Sequence, residues 1–255
     1  MVAATRDKAI FPTGVLLFGL AAVMVIEGLL LYLILGGPPV GPVEVGLATL
    51  TQFGLFFFVV LWSVRLSGRD MQGALGLRRF RLVHLGLAVV GGAFVGVAPL
   101  WLSARIIERW PEAQPESLGV MSGVLTGDGA VWILLIGIIF VGPVVEELVF
   151  RGALWAFLSE TLNPMMLLTL TSLLFALYHF APLHVISILP IAFLLGALRY
   201  ASGSIWPPIV AHIINNLMAV LLLNAAEPSA LIAFEGLLVT AMVLGTLWWL
   251  HDRQR

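Results

Sequence analysis

The chain has 255 residues, 60% of them hydrophobic and 11% charged, with a mean hydropathy of +1.06. A soluble domain cannot hide that much apolar surface, so the composition points to a polytopic membrane protein. A formal net charge of −1 offers no basic face for nucleic acid, and the absence of cysteine excludes disulfides, thiolate metal sites and a cysteine nucleophile.

Crossing the hydrocarbon core takes about 20 apolar residues. Eight stretches meet that need, at roughly 12–36, 45–65, 82–104, 130–150, 164–180, 184–200, 205–224 and 230–250. The fifth and sixth are short enough to be tilted or partly re-entrant. The runs are continuously apolar rather than alternating, and an open sheet edge is not tolerated in lipid. The expected fold is an all-α bundle of about eight transmembrane helices, forming a single membrane domain over residues 1–255. Arg6 and Lys8 precede the first run, which has no clear small-residue cleavage site and reads as a retained helix.

Lys and Arg favour the cytoplasmic side. With a cytoplasmic N-terminus, that side holds Arg6, Lys8, Arg65, Arg69, Arg78, Arg79, Arg81, Arg151, Arg199, Arg253 and Arg255, and the other side only Arg105 and Arg109. Eleven against two places both termini in the cytoplasm, and a bacterial plasma membrane is the expected location. The loop 66–81, with Arg69, Asp70, Arg78, Arg79 and Arg81, is suited to an anionic leaflet or serves only as a topology signal. The loop 105–129 carries Glu108, Glu112, Glu116 and Asp128 and reads as an external lid or an irregular connector. Gly92 and Gly96 have the spacing of close helix contact.

Three polar clusters interrupt the apolar runs. The first is Glu146, Glu147 and Arg151, after a run that begins near Val131. Ionisable groups inside hydrocarbon cost a few kcal/mol or more, so a paired carboxylate there is retained for chemistry more often than by chance. Four residues of helix bring Glu147 and Arg151 together, whereas Glu146 turns about 100° away, onto the face of Gly142 and Phe150. Pro143 loosens the backbone just upstream. Two placements remain open. Either the pair snorkels at the end of helix four, or that helix runs on through apolar residues 152–158 to about Ser159 and holds the pair well inside the membrane.

The second cluster is Phe175 and His179, one turn apart, with His184 as a rival histidine beyond Pro182. The third is His212, Asn215 and Asn216, where His212 and Asn216 share a face. Singly, each histidine or asparagine suits interhelical hydrogen bonding. Three clusters on three helices suit convergence on one interior. Glu27, Glu235 and His84 are further polar positions in or beside the spans, with no assigned role; His84 is expected at the interface.

The ordered set Glu146-Glu147-xxx-Arg151, Phe175-xxx-His179 and His212-xxx-Asn216 resembles the CPBP family of intramembrane proteases, which includes the type II CAAX prenyl endopeptidases. The resemblance covers roughly residues 130–220, the expected catalytic core. It implies that Glu146 and His179 activate a water, that His212 and Asn216 form an oxyanion hole, and that Glu147, Arg151 and Phe175 support them. The residue chemistry agrees. A carboxylate withdrawn from bulk water can take a proton from water and return it to a leaving amine. Imidazole and amide N–H groups can hold a tetrahedral oxyanion.

No cofactor is expected. Glu146, His179 and His212 are possible zinc ligands, but HExxH is absent and the resemblance favours a metal-independent mechanism. The expected substrate is a membrane-embedded or lipid-anchored protein or peptide. A prenylated tail, a bacteriocin-like peptide, a sorting segment and an anchored regulator all fit equally. A proton-coupled transporter and a non-catalytic scaffold or immunity-type protein are the competing readings.

Overall fold

The computed structural model describes residues 2–37, 42–113, 131–222 and 227–253, with side chains omitted at 2–9 and 42. Among these residues every regular element is helical. Six helical runs are long and apolar enough to span a membrane, one of them Leu82–Arg109 with a turn at 95–96, and two shorter apolar helices accompany them. All eight expected stretches are therefore helices. The fifth and seventh are the short ones, whereas the sixth has 21 residues and full length, contrary to expectation. Glu116, Asp128 and Arg255, and the side chains of Arg6 and Lys8, fall outside the described set.

The chain divides into two compact units. The first comprises Met1–Gly76 and Gly119–Asn163. It holds α1 (Val2–Leu35), α2 (Pro42–Leu66), the short α3 (Met71–Ala74) and α6, a continuous helical run over Val131–Leu158. The buried stripe of α1, from Leu16 through Leu20 to Glu27, recurs at helical spacing. Gly19 meets Val59, so α1 and α2 pack closely. Gly142 of α6 lies against the ring of Phe53, and a Cβ there would stand 2.8 Å from that ring. Asp70 caps α3 by accepting from the Gly73 N–H at 2.7 Å. Arg69 joins the cytoplasm-assigned loop to the end of α6, donating to the Ala156 carbonyl at 3.0 Å and pairing with Glu160 at 2.9 Å.

The second unit comprises Leu77–Leu118 and Pro164–Arg255. It contains α4 (Leu82–Phe94), α5 (Val97–Arg109), α7 (Pro164–Leu177), α8 (Pro182–Ser202), α9 (Trp206–Leu222) and α10 (Ala230–Asp252). Small residues set its packing. A Cβ at Gly92 would lie 2.4 Å from the Ala211 carbonyl oxygen, so α4 and α9 approach backbone to backbone. Gly196 of α8 meets Ser172 of α7, whose hydroxyl donates to the Ala192 carbonyl at 2.9 Å. Gly203, at φ 67°, caps α8 in a conformation that a side chain would strain. Arg105 is engaged by Glu108 and by Glu227, so one of the two cations assigned to the opposite side is neutralised locally.

Candidate active site

Helix α6 is the longer of the two alternatives read from the sequence. It runs 28 residues to Leu158, and Glu146 and Glu147 lie near its middle. The stretch 130–150 was therefore too short: residues 152–158 continue the same helix. Its backbone is not uniformly α-helical. Gly137–Val141 and Leu148–Leu154 are π-helical, and the Gly142 N–H donates back five residues to Gly137. Pro143 supplies no N–H and its ring presses on the preceding turn, so a wider turn there relieves both problems. The sequence signalled Pro143 but not the second wide turn, across which Glu147 and Arg151 still meet at four-residue spacing.

The glutamate pair is buried within the protein. Glu147 and Arg151 are both 0% exposed, and an Arg151 guanidinium nitrogen donates to Glu147 Oε1 at 3.0 Å. Arg151 thus leaves the loop-cation tally, because it is fully buried within the helix. Glu146 is buried at 8% exposure and also feels the Arg151 charge. A buried cation shared by two carboxylates offsets part of the cost of burying them.

In the second unit, Phe175 is the hub. It is 1% exposed, and its ring meets the imidazoles of His179 and His212 edge-on at 5.3 and 5.4 Å between centroids. His179 lies just beyond α7, in the connector to α8, where Phe180 has φ 56°. His179 Nδ1 donates to the Phe175 carbonyl oxygen at 3.0 Å. A carbonyl only accepts, so this bond puts the proton on Nδ1 and the lone pair of the neutral ring on Nε2. His179 is thereby oriented as a proton acceptor.

His184, the rival, is not separate from this group. Pro182 begins α8, which carries His184 back against His179 with ring centroids 5.0 Å apart. Sequence spacing treated the two histidines as alternatives, whereas the turn between α7 and α8 makes them neighbours. His212 is buried at 4% exposure in α9, and Asn216 stands one turn further on the same face. Asn215 turns toward the junction of α4 and α5: its Oδ1 would be 3.0 Å from a Cβ at Gly96, and its Nδ2 donates to Asn216 Oδ1 at 3.4 Å.

Glu146, Glu147 and Arg151 thus belong to the first unit, and Phe175, His179, His212 and Asn216 to the second. No group of three His, Asp or Glu side chains among the described residues is disposed to hold a metal ion. His84, in the first turn of α4, is 2% exposed, with neither ring nitrogen bonded among the described residues. Glu27 is 8% exposed, and neither carboxyl oxygen has a hydrogen-bond partner among the described residues. Glu235 is exposed on α10.

Residues 128–218 match the family model described as Type II CAAX prenyl endopeptidase Rce1-like. The match takes in all three polar clusters. No curated protein and no solved structure gives a significant match. Through this segment the chain is similar to the type II CAAX prenyl endopeptidases.

Proposed function

We propose that this chain is an intramembrane protease of the CAAX type that hydrolyses a peptide bond of a membrane-embedded or lipid-anchored protein or peptide, with residues 130–220 as its catalytic core. The observation that carries the reading is a pair of buried carboxylates in the middle of a 28-residue apolar helix, inside the segment that matches the protease family. Glu146 takes a proton from water, with His179 Nε2 accepting a hydrogen bond from the same water. The hydroxide attacks the scissile carbonyl carbon, and the tetrahedral oxyanion is held by N–H donors of His212 and Asn216. Each such donor is worth about 3 kcal/mol in the transition state. Collapse breaks the C–N bond, and Glu146 returns its proton to the leaving amine.

Glu147 and Arg151 are positioning residues in this scheme. Their buried pair fixes the turn of α6 that carries Glu146. Phe175 positions both histidines. The scheme uses no metal; a zinc held by Glu146, His179 and His212 is the alternative that chelation tests. The chain is read as a plasma-membrane protein of bacterial type, and the distribution of Arg and Lys supports both termini in the cytoplasm.

The test is incubation of the purified, detergent-solubilised chain with a panel of membrane-tethered peptides, with products sequenced by mass spectrometry. Wild type should yield a discrete new C-terminus and Glu146→Ala none. Equal cleavage by both would remove Glu146 as the base. Proton flux through wild-type liposomes without cleavage of any panel member would favour the transporter instead.

A further inference from the structure

Among the described residues the backbone takes a positive φ at Gly36, Gly68, Gly76, Gly203 and Phe180. Glycine adopts that conformation without steric cost, whereas Phe180 stands at φ 56°. A bulky side chain in the left-handed region is an outlier, and holding it there costs stability. The turn accounts for the backbone. As α7 ends, the Tyr178 N–H donates to the Leu174 carbonyl at 3.0 Å and the Phe180 N–H to the Leu177 carbonyl at 3.1 Å. The Ala181 N–H then closes onto the His179 carbonyl at 2.6 Å, the bond of a tight three-residue turn centred on Phe180. Ala181 is extended, at φ −71° and ψ 122°, as a residue before proline must be, and Pro182 starts α8. So short a reversal calls for one left-handed residue, and glycine fills that place at least cost.

What glycine does not supply is the ring. Burial does not offset the strain, because Phe180 is 72% exposed while Phe175 of the same aromatic group is 1% exposed. The ring nevertheless has a defined place. Its centroid lies 6.5 Å from that of Tyr178, and the Tyr178 ring stands edge-on to the His179 imidazole at 5.3 Å. The bond that closes the turn also ends on the carbonyl of His179. Backbone and rings together therefore tie an exposed apolar ring to the imidazole that serves as the proton acceptor.

We propose that Phe180 is a specificity-determining residue, whose ring, with Tyr178 beside it, receives an apolar side chain of the substrate next to the scissile bond. The assignment rests on the protease reading, since the closeness of His179 is what makes an exposed ring a substrate contact rather than a lipid contact. The strained turn holds the ring in a fixed relation to the imidazole. An apolar side chain seated on the ring thereby brings its neighbouring peptide bond to the water that His179 engages. A small residue at that position of the substrate leaves the ring uncovered and loses the contact.

The probes are two N-palmitoylated peptides in detergent, identical except for leucine or alanine at the four central positions, presented to the full-length protein. Wild type should favour the leucine peptide about tenfold in kcat/KM, Phe180→Tyr should keep that preference, and Phe180→Gly should lose most of it. In the Glu146→Gln protein, whose binding of the leucine peptide is read by fluorescence anisotropy without cleavage, adding Phe180→Gly should weaken that binding about tenfold. The melting temperature of Phe180→Gly should rise by about 2 °C as the left-handed strain is released. An equal rate on both peptides in wild type, an unchanged preference in Phe180→Gly, or a lowered melting temperature, which would make the ring a packing element of the turn, overturns the proposal and leaves the protease reading standing. If wild type cuts neither peptide but the Glu146→Gln protein binds the leucine peptide through Phe180, the protease reading falls and the docking role stands. Neither cleavage nor binding overturns both.

Discussion

His179 donates from Nδ1 to the carbonyl oxygen of Phe175, and the Phe175 ring stands edge-on to that same imidazole. One residue thus fixes both the tautomer and the tilt of the histidine, the former through its main chain and the latter through its side chain. The two effects separate by mutation. Phe175→Leu keeps the carbonyl but removes the ring that His179 and His212 share. Aromatic contacts of this kind are worth about 0.5–1.5 kcal/mol each, so kcat should fall about tenfold with little change in KM and with retained helicity. Steady-state kinetics beside circular dichroism check it. An unchanged kcat would show that the ring does not position the imidazoles.

His212 and Asn216 occupy one face of α9, and the proposed chemistry gives both the same oxyanion. Removing either donor should lower kcat by about 10²–10³. If they act on one oxygen, the double variant His212→Ala/Asn216→Ala should fall well short of the product of the two single losses. Single-turnover rates of the three variants measure this, and fully multiplicative losses would assign the residues to separate tasks.

The Glu147–Arg151 pair is 0% exposed on both sides, so removing one partner leaves a buried, uncompensated charge. Arg151→Met should destabilise the protein by about 3–5 kcal/mol. Adding Glu147→Gln should recover a large part of the loss, because the orphaned charge goes with it. Thermal unfolding in a fixed detergent reads both. Burial also predicts that the wild-type melting temperature responds little to salt through this pair, in contrast to the exposed Arg105 pairs.

Gly92 has no room for a methyl group. Its Cβ would meet the Ala211 backbone at 2.4 Å, whereas a Cβ at Gly86 on the same helix meets nothing within 4 Å. Gly92→Ala should therefore cost about 1–3 kcal/mol or more as α4 is pushed from α9, and Gly86→Ala should be neutral or stabilising. Comparison of the two melting temperatures decides between close packing and generic helix propensity.

The helices were legible because a membrane span is written in plain hydropathy, and every expected stretch is helical. The Glu147–Arg151 pair was legible too, since four-residue spacing fixes it almost regardless of context. Side-chain environment was harder to read. His84 lies at the start of a span, which bears on its depth but not on which face is covered, and lateral packing buries it. His184 was set apart from His179 because Pro182 separates them in sequence; the turn returns it to contact. Pro143 announced a disturbed backbone, but whether a helix breaks or widens depends on the packing around it, which sequence does not print.

The most direct test of the account is the cleavage rate of a membrane-tethered substrate by wild type and by Glu146→Gln, each with and without a strong zinc chelator. Gln keeps the shape of the side chain and removes the base. The account predicts that wild-type cleavage survives chelation and that Glu146→Gln falls to background under both conditions. Cleavage by Glu146→Gln at the wild-type rate, or loss of wild-type cleavage on chelation, would contradict it.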